Sequence, residues 1–198
     1  ENSHVTAIVG GGGKSSLMAA LGEEYHRRGE TVIMTTTTHI RPPRENGYMG
    51  DDAVALGSLL ASCRLMTVGT MSEERKFGPS PLLEQLPELA DRVIIEADGT
   101  KGLPLKVPND REPVIPAFAD AVIAVAGLSA LGCPLGEVCH RPELAKLRFG
   151  LEPDQIVTPE LMAMLLSSPL AQRIRQAETL YREYRFALLV PATLYDPK

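Results

Sequence analysis

A mostly parallel α/β sheet flanked by helices is the fold this sequence predicts, and three observations carry that prediction. Apolar runs of strand length alternate with helical stretches along the 198 residues. The runs at 92–96 and 121–126 are apolar almost throughout instead of alternating, as strands buried on both faces are. The apolar run at 5–9 ends in the four glycines Gly10, Gly11, Gly12 and Gly13 and leads directly into a helix. Crossovers between such strands should be right-handed.

The first helix is well marked. Leu17, Leu21 and Tyr25 lie four apart on one face, Arg27 and Arg28 fill the last turn, and Gly29 stands where a helix-ending glycine belongs. A second strand is expected at 31–35, followed by a turn-rich stretch through Pro42, Pro43, Asn46 and Gly47. Asp51 is placed to cap a helix reaching about Cys63, with a short strand at 65–68 behind it. Residues 72–81 are polar and suit a small hairpin, and 82–90 has helical character interrupted by Pro87. Helices are expected at 143–149, 159–167 and 169–184, and a last strand at 186–190. At this length a single domain is expected, with a helical part from about 151 that is harder to assign.

The segment from Val5 to Met18 carries the most chemistry. Glycines let backbone N–H groups turn toward phosphate oxygens. Lys14 would reach the terminal phosphates, Ser15 would place its hydroxyl on Mg²⁺, and Ser16, next in the first helical turn, is a further candidate nucleotide contact. The positive end of the helix adds to the same anion site. The spacing is shorter than the standard G-x-x-x-x-G-K-[ST], whose first glycine would fall at Ile8; here it is G-x-x-G-K-S from Gly10 to Ser15. The alternative is a glycine-rich turn with a chance lysine. With the strand before and helix after, the expected architecture is the three-layer one of P-loop NTPases.

The run Arg92-Val93-Ile94-Ile95-Glu96-Ala97-Asp98-Gly99 supplies acids at a strand end. Glu96 and Asp98 are two apart and point to one side. They are candidate catalytic residues with Lys14, and candidate Mg²⁺ ligands with Ser15; otherwise Asp98-Gly99 is only a turn. Thr35 to Thr38 and His39 close the second strand, where ligands gather in open α/β sheets, so Thr36 and Thr37 are candidate nucleotide contacts and His39 a candidate proton carrier. Lys101 and Lys106, on a proline-stiffened loop, would complement phosphate charge, or they are ordinary surface lysines.

Composition excludes several classes. Net charge is −5, aromatics make up 5% and Trp is absent, so neither a basic nucleic-acid surface nor a base-stacking platform is expected. No apolar run reaches membrane-spanning length and no signal peptide is visible, so no membrane partner is expected. Three cysteines, Cys63, Cys133 and Cys139, without framework spacing read as reduced thiols in a cytoplasmic protein. Cys133, Cys139 and His140 could be soft metal ligands, although zinc sites want four ligands at closer spacing. Alternatively, His140 and Arg141 face a nucleotide or partner, and Pro142 and Glu143 start a helix.

Taken in order, the glycine–lysine loop, Thr35 to Thr38, Ile94-Ile95-Glu96-Ala97-Asp98-Gly99, Lys101-Gly102, Pro104-Leu105-Lys106, Glu112-Pro113-Val114-Ile115-Pro116 and His140-Arg141-Pro142-Glu143 resemble the selenium-dependent hydroxylase accessory proteins of the YqeC type. The resemblance covers roughly residues 5 to 150. It implies a P-loop nucleotide-binding protein that assists maturation of a molybdenum-containing hydroxylase, with that enzyme or its maturation machinery as protein client. No Asn-Lys-x-Asp guanine reader is found, which favours ATP as the nucleotide. The first reading is therefore an NTPase with slow, Mg²⁺-dependent hydrolysis that switches a partner. A second is a small-molecule kinase or ligase, since the short loop is similar to that of amide-forming ligases. A third is a nucleotide-binding module without turnover.

Overall fold

The structure, a computed structural model, describes residues 4–73, 75–176 and 183–189. Its core is a seven-stranded sheet in which every neighbouring pair is parallel. In chain order the elements are β1 (Val5–Gly10), α1 (Lys14–Arg27), β2 (Val32–Thr36), β3 (Gly47–Tyr48), α2 (Ala53–Cys63), β4 (Leu65–Val68), β5 (Thr70–Met71) and β6 (Phe77–Gly78). There follow α3 (Leu86–Leu89), β7 (Arg92–Glu96), β8 (Leu105–Lys106), β9 (Ala121–Gly127), α4 (Leu135–Val138), β10 (Cys139–His140), α5 (Pro142–Phe149), α6 (Pro159–Gln176) and β11 (Glu183–Leu189). The strand order is β11-β9-β1-β7-β2-β4-β3. The expected α/β class with helices on both sides of a parallel sheet is what the molecule adopts.

The period of the strands sorts side chains into two layers of core. Val5, Ala7 and Val9 point to the face covered by Leu56 and Leu60 of α2 and Leu86 of α3. Ile8 points the other way, toward Met18 of α1 with Ile94 and Val125, and the Leu17, Leu21 and Tyr25 face of α1 packs against this second cluster. Because β1, β7 and β9 are covered on both sides they read as nearly unbroken apolar runs. A third cluster joins Leu105, Ala126, Leu135 and Ala145 to Leu161, Met162 and Leu165 of α6.

Local signals act as the residue chemistry dictates. The α2 cap is Asp52, not Asp51: its Oδ1 accepts from the amides of Val54 (2.9 Å) and Ala55 (3.1 Å). Residues 72–81 contribute to an antiparallel β5–β6 hairpin, to which Ile40 is bridged through Phe77. Only Leu86–Leu89 of the stretch 82–90 is helical, with Pro87 in the first turn, where a missing N–H costs nothing. Two helices were expected at 159–167 and 169–184; one helix, α6, runs instead through Pro169 to Gln176, and residues 177–182 lie outside the described residues. Among the described residues no helix is long and apolar enough to cross a membrane.

Candidate functional site

Parallel register aligns the carboxyl ends of three adjacent strands. Ile8 of β1 and Thr36 of β2 both pair with Glu96 of β7, so the glycine loop, the threonines and the acids converge at one edge of the sheet, the edge where open α/β sheets bind ligands.

The glycines are required by close backbone approach. A Cβ on Gly10 would stand 2.2 Å from the Val125 carbonyl oxygen, and one on Gly11 would stand 2.0 Å from that of Pro104. Gly10 and Gly13 also hold left-handed backbone, at φ 101° and 98°. The amides of Gly11 and Gly12 do not form an open cradle: Gly11 donates to Val125 O at 2.6 Å and Gly12 to Leu103 O and Pro104 O at 3.0 and 3.1 Å. The shortened loop is therefore stitched to its neighbours, and the first-turn amides of α1, which has no side-chain cap at Gly13, are the donors left without an intrahelical acceptor.

Lys14 is buried and points back under the loop. Its Nζ donates to Gly10 O at 2.8 Å and lies 3.1 Å from Asp98 Oδ1 and 3.8 Å from Glu96 Oε1. Ser15 donates its hydroxyl to Glu96 Oε2 at 2.7 Å. Asp98 is more fully occupied: its Oδ2 accepts from the Gly10 amide at 2.9 Å and stands 3.2 Å from Lys106 Nζ. Lys106 in turn donates to Gly99 O at 2.6 Å and pairs with Glu112 at 2.8 Å, and Glu112 pairs with Arg141 at 2.8 Å. A continuous chain of alternating charge thus runs Glu96, Lys14, Asp98, Lys106, Glu112, Arg141.

Burial pushes the Glu96 carboxyl above its ordinary range, and the neighbouring Asp98 adds to this, against the pull of Lys14 and the Ser15 hydrogen bond. Burial also pushes Glu112 upward, but hydrogen bonds and charge from Lys106 and Arg141 more than reverse it and leave that carboxyl lowered. A raised acid beside the cleft and a lowered one behind it are the two poles of this network.

A cleft of ≈ 650 Å³ opens over the loop, within the range of small-molecule sites. Its walls include Gly12, Gly13, Lys14, Ser15, Ser16, Glu96 and Lys101, with the basic side chains Arg41, Arg75 and Lys76 around the mouth. In a chain of net charge −5, the described residues that line this cleft include Lys14, Arg41, Arg75, Lys76 and Lys101 together with the carboxylate of Glu96. Such a surface suits a polyanion.

Several predicted residues are placed elsewhere. Thr36 spends its hydroxyl on Glu96 O at 2.8 Å and is buried, and Thr37 donates to Val114 O at 2.7 Å on the other side of the strand end; neither lines the cleft. Thr36 thereby ties β2 to β7 and Thr37 ties the end of β2 to Val114, because a strand-end hydroxyl bonds a carbonyl within reach. Lys106 is no surface lysine: pairing of β8 with β10 turns it inward to Asp98 and Glu112. Gly10, Gly11 and Asp98 are not among the residues that line the cleft. Arg41, Arg75 and Lys76 had no motif to flag them; their proximity arises from the Ile40–Phe77 bridge. Burial pushes the Cys139 thiol up to about 11, and among the described residues no three His, Cys, Asp or Glu side chains converge on a metal position.

The sequence profile described as YqeC protein matches residues 6–143, well over half of the chain. The chain belongs to the YqeC family. A relative within that family, the uncharacterized protein YqeC of Escherichia coli (strain K12), is similar at 34% identity over 118 residues. That alignment covers 58% of this chain and 46% of the relative, so the chain spans about half the length of the curated relative it matches. No solved structure matches. The match to the YqeC profile takes in the glycine loop, both acids, Lys101, Lys106, Glu112 and the His140–Arg141 pair, so the whole charged chain lies in the part that defines the family.

Proposed function

We propose that this YqeC-family chain binds a nucleoside triphosphate with Mg²⁺ in the cleft over the glycine loop, hydrolyses it slowly, and uses that cycle as an accessory factor in maturation of a selenium-dependent molybdenum hydroxylase. The observation that carries the first step is the grouping of Lys14, Ser15 and Glu96 at the start of α1, under a cleft rimmed by cations. ATP is the nucleotide favoured by the sequence.

The donor set fits the ligand. The first-turn amides of α1, Lys14 and the rim residues Lys101, Arg41 and Arg75 would hold the phosphates. Ser15 and Glu96 would hold Mg²⁺, which accepts one or two side chains and keeps most of its shell as water and phosphate oxygen. Bound there, the metal would neutralise charge developing on the transferred phosphoryl group. Asp98, with both oxygens committed to lysines and the Gly10 amide, fits a positioning role: it fixes the base of Lys14 and the backbone of the loop. Glu96, bonded to the Ser15 hydroxyl at the start of α1, would hold the metal and its water shell beside the phosphates.

Steady phosphate release from purified protein, Mg²⁺ and ATP, without added metabolite, tests hydrolysis. Release that requires a metabolite would turn the reading toward a small-molecule kinase or ligase, and binding without release toward a module lacking turnover. The accessory role rests on family resemblance and is tested by whether loss of this gene product lowers the activity of a selenium-dependent hydroxylase in cells.

A further inference from the structure

Beside the glycine-loop cleft, and sharing Gly99 and Lys101 with it, lies a second cleft of ≈ 510 Å³ walled by Glu112, His140, Arg141 and Glu143. The β8–β10 ladder sets it there, pairing His140 with Lys106 and Cys139 with Leu105. Lys101 and Arg141 on its walls both hold left-handed backbone, at φ 52° and 70°, a conformation that costs a non-glycine residue energy and clusters at functional positions.

The described lining of this cleft carries two cations, Lys101 and Arg141, and two carboxylates, Glu112 and Glu143. Burial first, and after it the cations Arg141, Lys106 and Lys101, hold the His140 imidazole below its ordinary pKa against the opposing pull of Glu112. Glu112 is already matched by Lys106 and Arg141, and Glu143 is exposed at the rim. His140 Nδ1 is buried and makes no hydrogen bond to any described residue, a polar atom that ordinarily has a partner. Arg141 uses one edge of its guanidinium on Glu112 and has further N–H donors.

We propose that this second cleft binds a small oxyanion, held by Lys101, Arg141 and the His140 ring. The oxyanion site stands without the nucleotide reading. Its place next to the terminal phosphate, and hence its use for the acidic group of a second substrate or for phosphate leaving the first, rests on that reading. A planar, forked guanidinium, an ammonium and an imidazole are a donor set matched to oxygen atoms of carboxylate or phosphate.

Titration of the full chain with inorganic phosphate and, separately, acetate, followed residue by residue by amide NMR, tests this. The expected result is saturable movement of the Lys101, His140 and Arg141 signals. Arg141→Asn and Lys101→Asn, which suit left-handed backbone, should each weaken it about tenfold or more, the loss of one charge-assisted hydrogen bond. Stronger binding of phosphate would assign the cleft to a phosphate group, and stronger binding of acetate to a carboxylate. Shifts confined to residues 13–16, absence of binding for both anions, or unchanged affinity in the variants would overturn the proposal. Should Arg141→Asn fail to fold, Lys101→Asn at its exposed position decides. Nucleotide affinity measured on the same samples separates failure here from failure of the nucleotide reading.

Discussion

Lys14 Nζ stands 3.1 Å from Asp98 Oδ1 with both side chains almost wholly buried, so the lysine beneath the cleft is also the counter-ion of a buried acid. The pair cannot be treated as two independent catalytic groups. Lys14 spans the floor of the cleft and the core, and anything that draws its ammonium toward a ligand changes what Asp98 and, through it, Lys106 experience. Buried ion pairs are costly to assemble and costlier to break on one side only.

Asp98→Asn is therefore expected to act first on stability. It removes the charge shared by Lys14 and Lys106 and leaves Lys106 with Glu112 alone. A loss of about 3–5 kcal/mol is expected, read as a lowered urea midpoint at unchanged slope. An unchanged midpoint would show that the network is not held through Asp98.

Glu96 and Glu112 should move stability with pH in opposite directions. Burial raises Glu96 above its ordinary 4.5, so the folded chain holds that proton more tightly than the unfolded one. The penalty of ionised Glu96 is absent below about 4.5 and grows as pH rises through the higher folded value. Glu112 is lowered from 4.5, so its contribution is full above that value and is lost as pH falls through the folded one. Denaturant midpoints against pH should show Glu96→Gln gaining relative to wild type as pH rises above 4.5. Glu112→Gln should instead lose most above its own ordinary 4.5. Parallel profiles for the two variants would contradict these environments.

Gly11 and Gly57 offer a paired test of backbone crowding. A Cβ at Gly11 meets the Pro104 carbonyl oxygen at 2.0 Å and its carbon at 2.5 Å, backbone atoms that cannot swing aside. Gly11→Ala should cost about 3 kcal/mol or more or prevent folding, at or beyond the upper end for overpacking. Gly57, within α2, has nothing within 4 Å of the position an added methyl would take, and Gly57→Ala should stabilise by roughly 0.5–1 kcal/mol. Thermal melts of the two variants check both signs.

Much of the sheet was legible because periodicity survives in short windows. The buried strands β7 and β9, the α1 face of Leu17, Leu21 and Tyr25, and the glycine stop at Gly29 follow from local composition alone. The start of α2 was misplaced by one residue because Asp51 and Asp52 are equally good caps in sequence, and only backbone geometry chooses. The grouping of Lys14 and Ser15 with Glu96 was readable from motif order. The inward turn of Lys106, the pairing of Glu112 with Arg141 and the basic rim of Arg41 and Arg75 were not, since each depends on ladders and bridges between distant segments: β8 with β10, and Ile40 with Phe77. The carbonyl partners of Thr36 and Thr37 could not be read from the sequence either, because a hydroxyl at a strand end bonds a neighbouring carbonyl as readily as a ligand.

The most direct measurement of the central claim is calorimetric titration of the chain with ATP, GTP and CTP in the presence of Mg²⁺, repeated with Lys14→Ala. The account predicts saturable binding at one site per chain, tightest for ATP, and no measurable binding in the variant while it keeps a cooperative unfolding transition. Absence of binding for all three nucleotides, or unchanged affinity in Lys14→Ala, would contradict it.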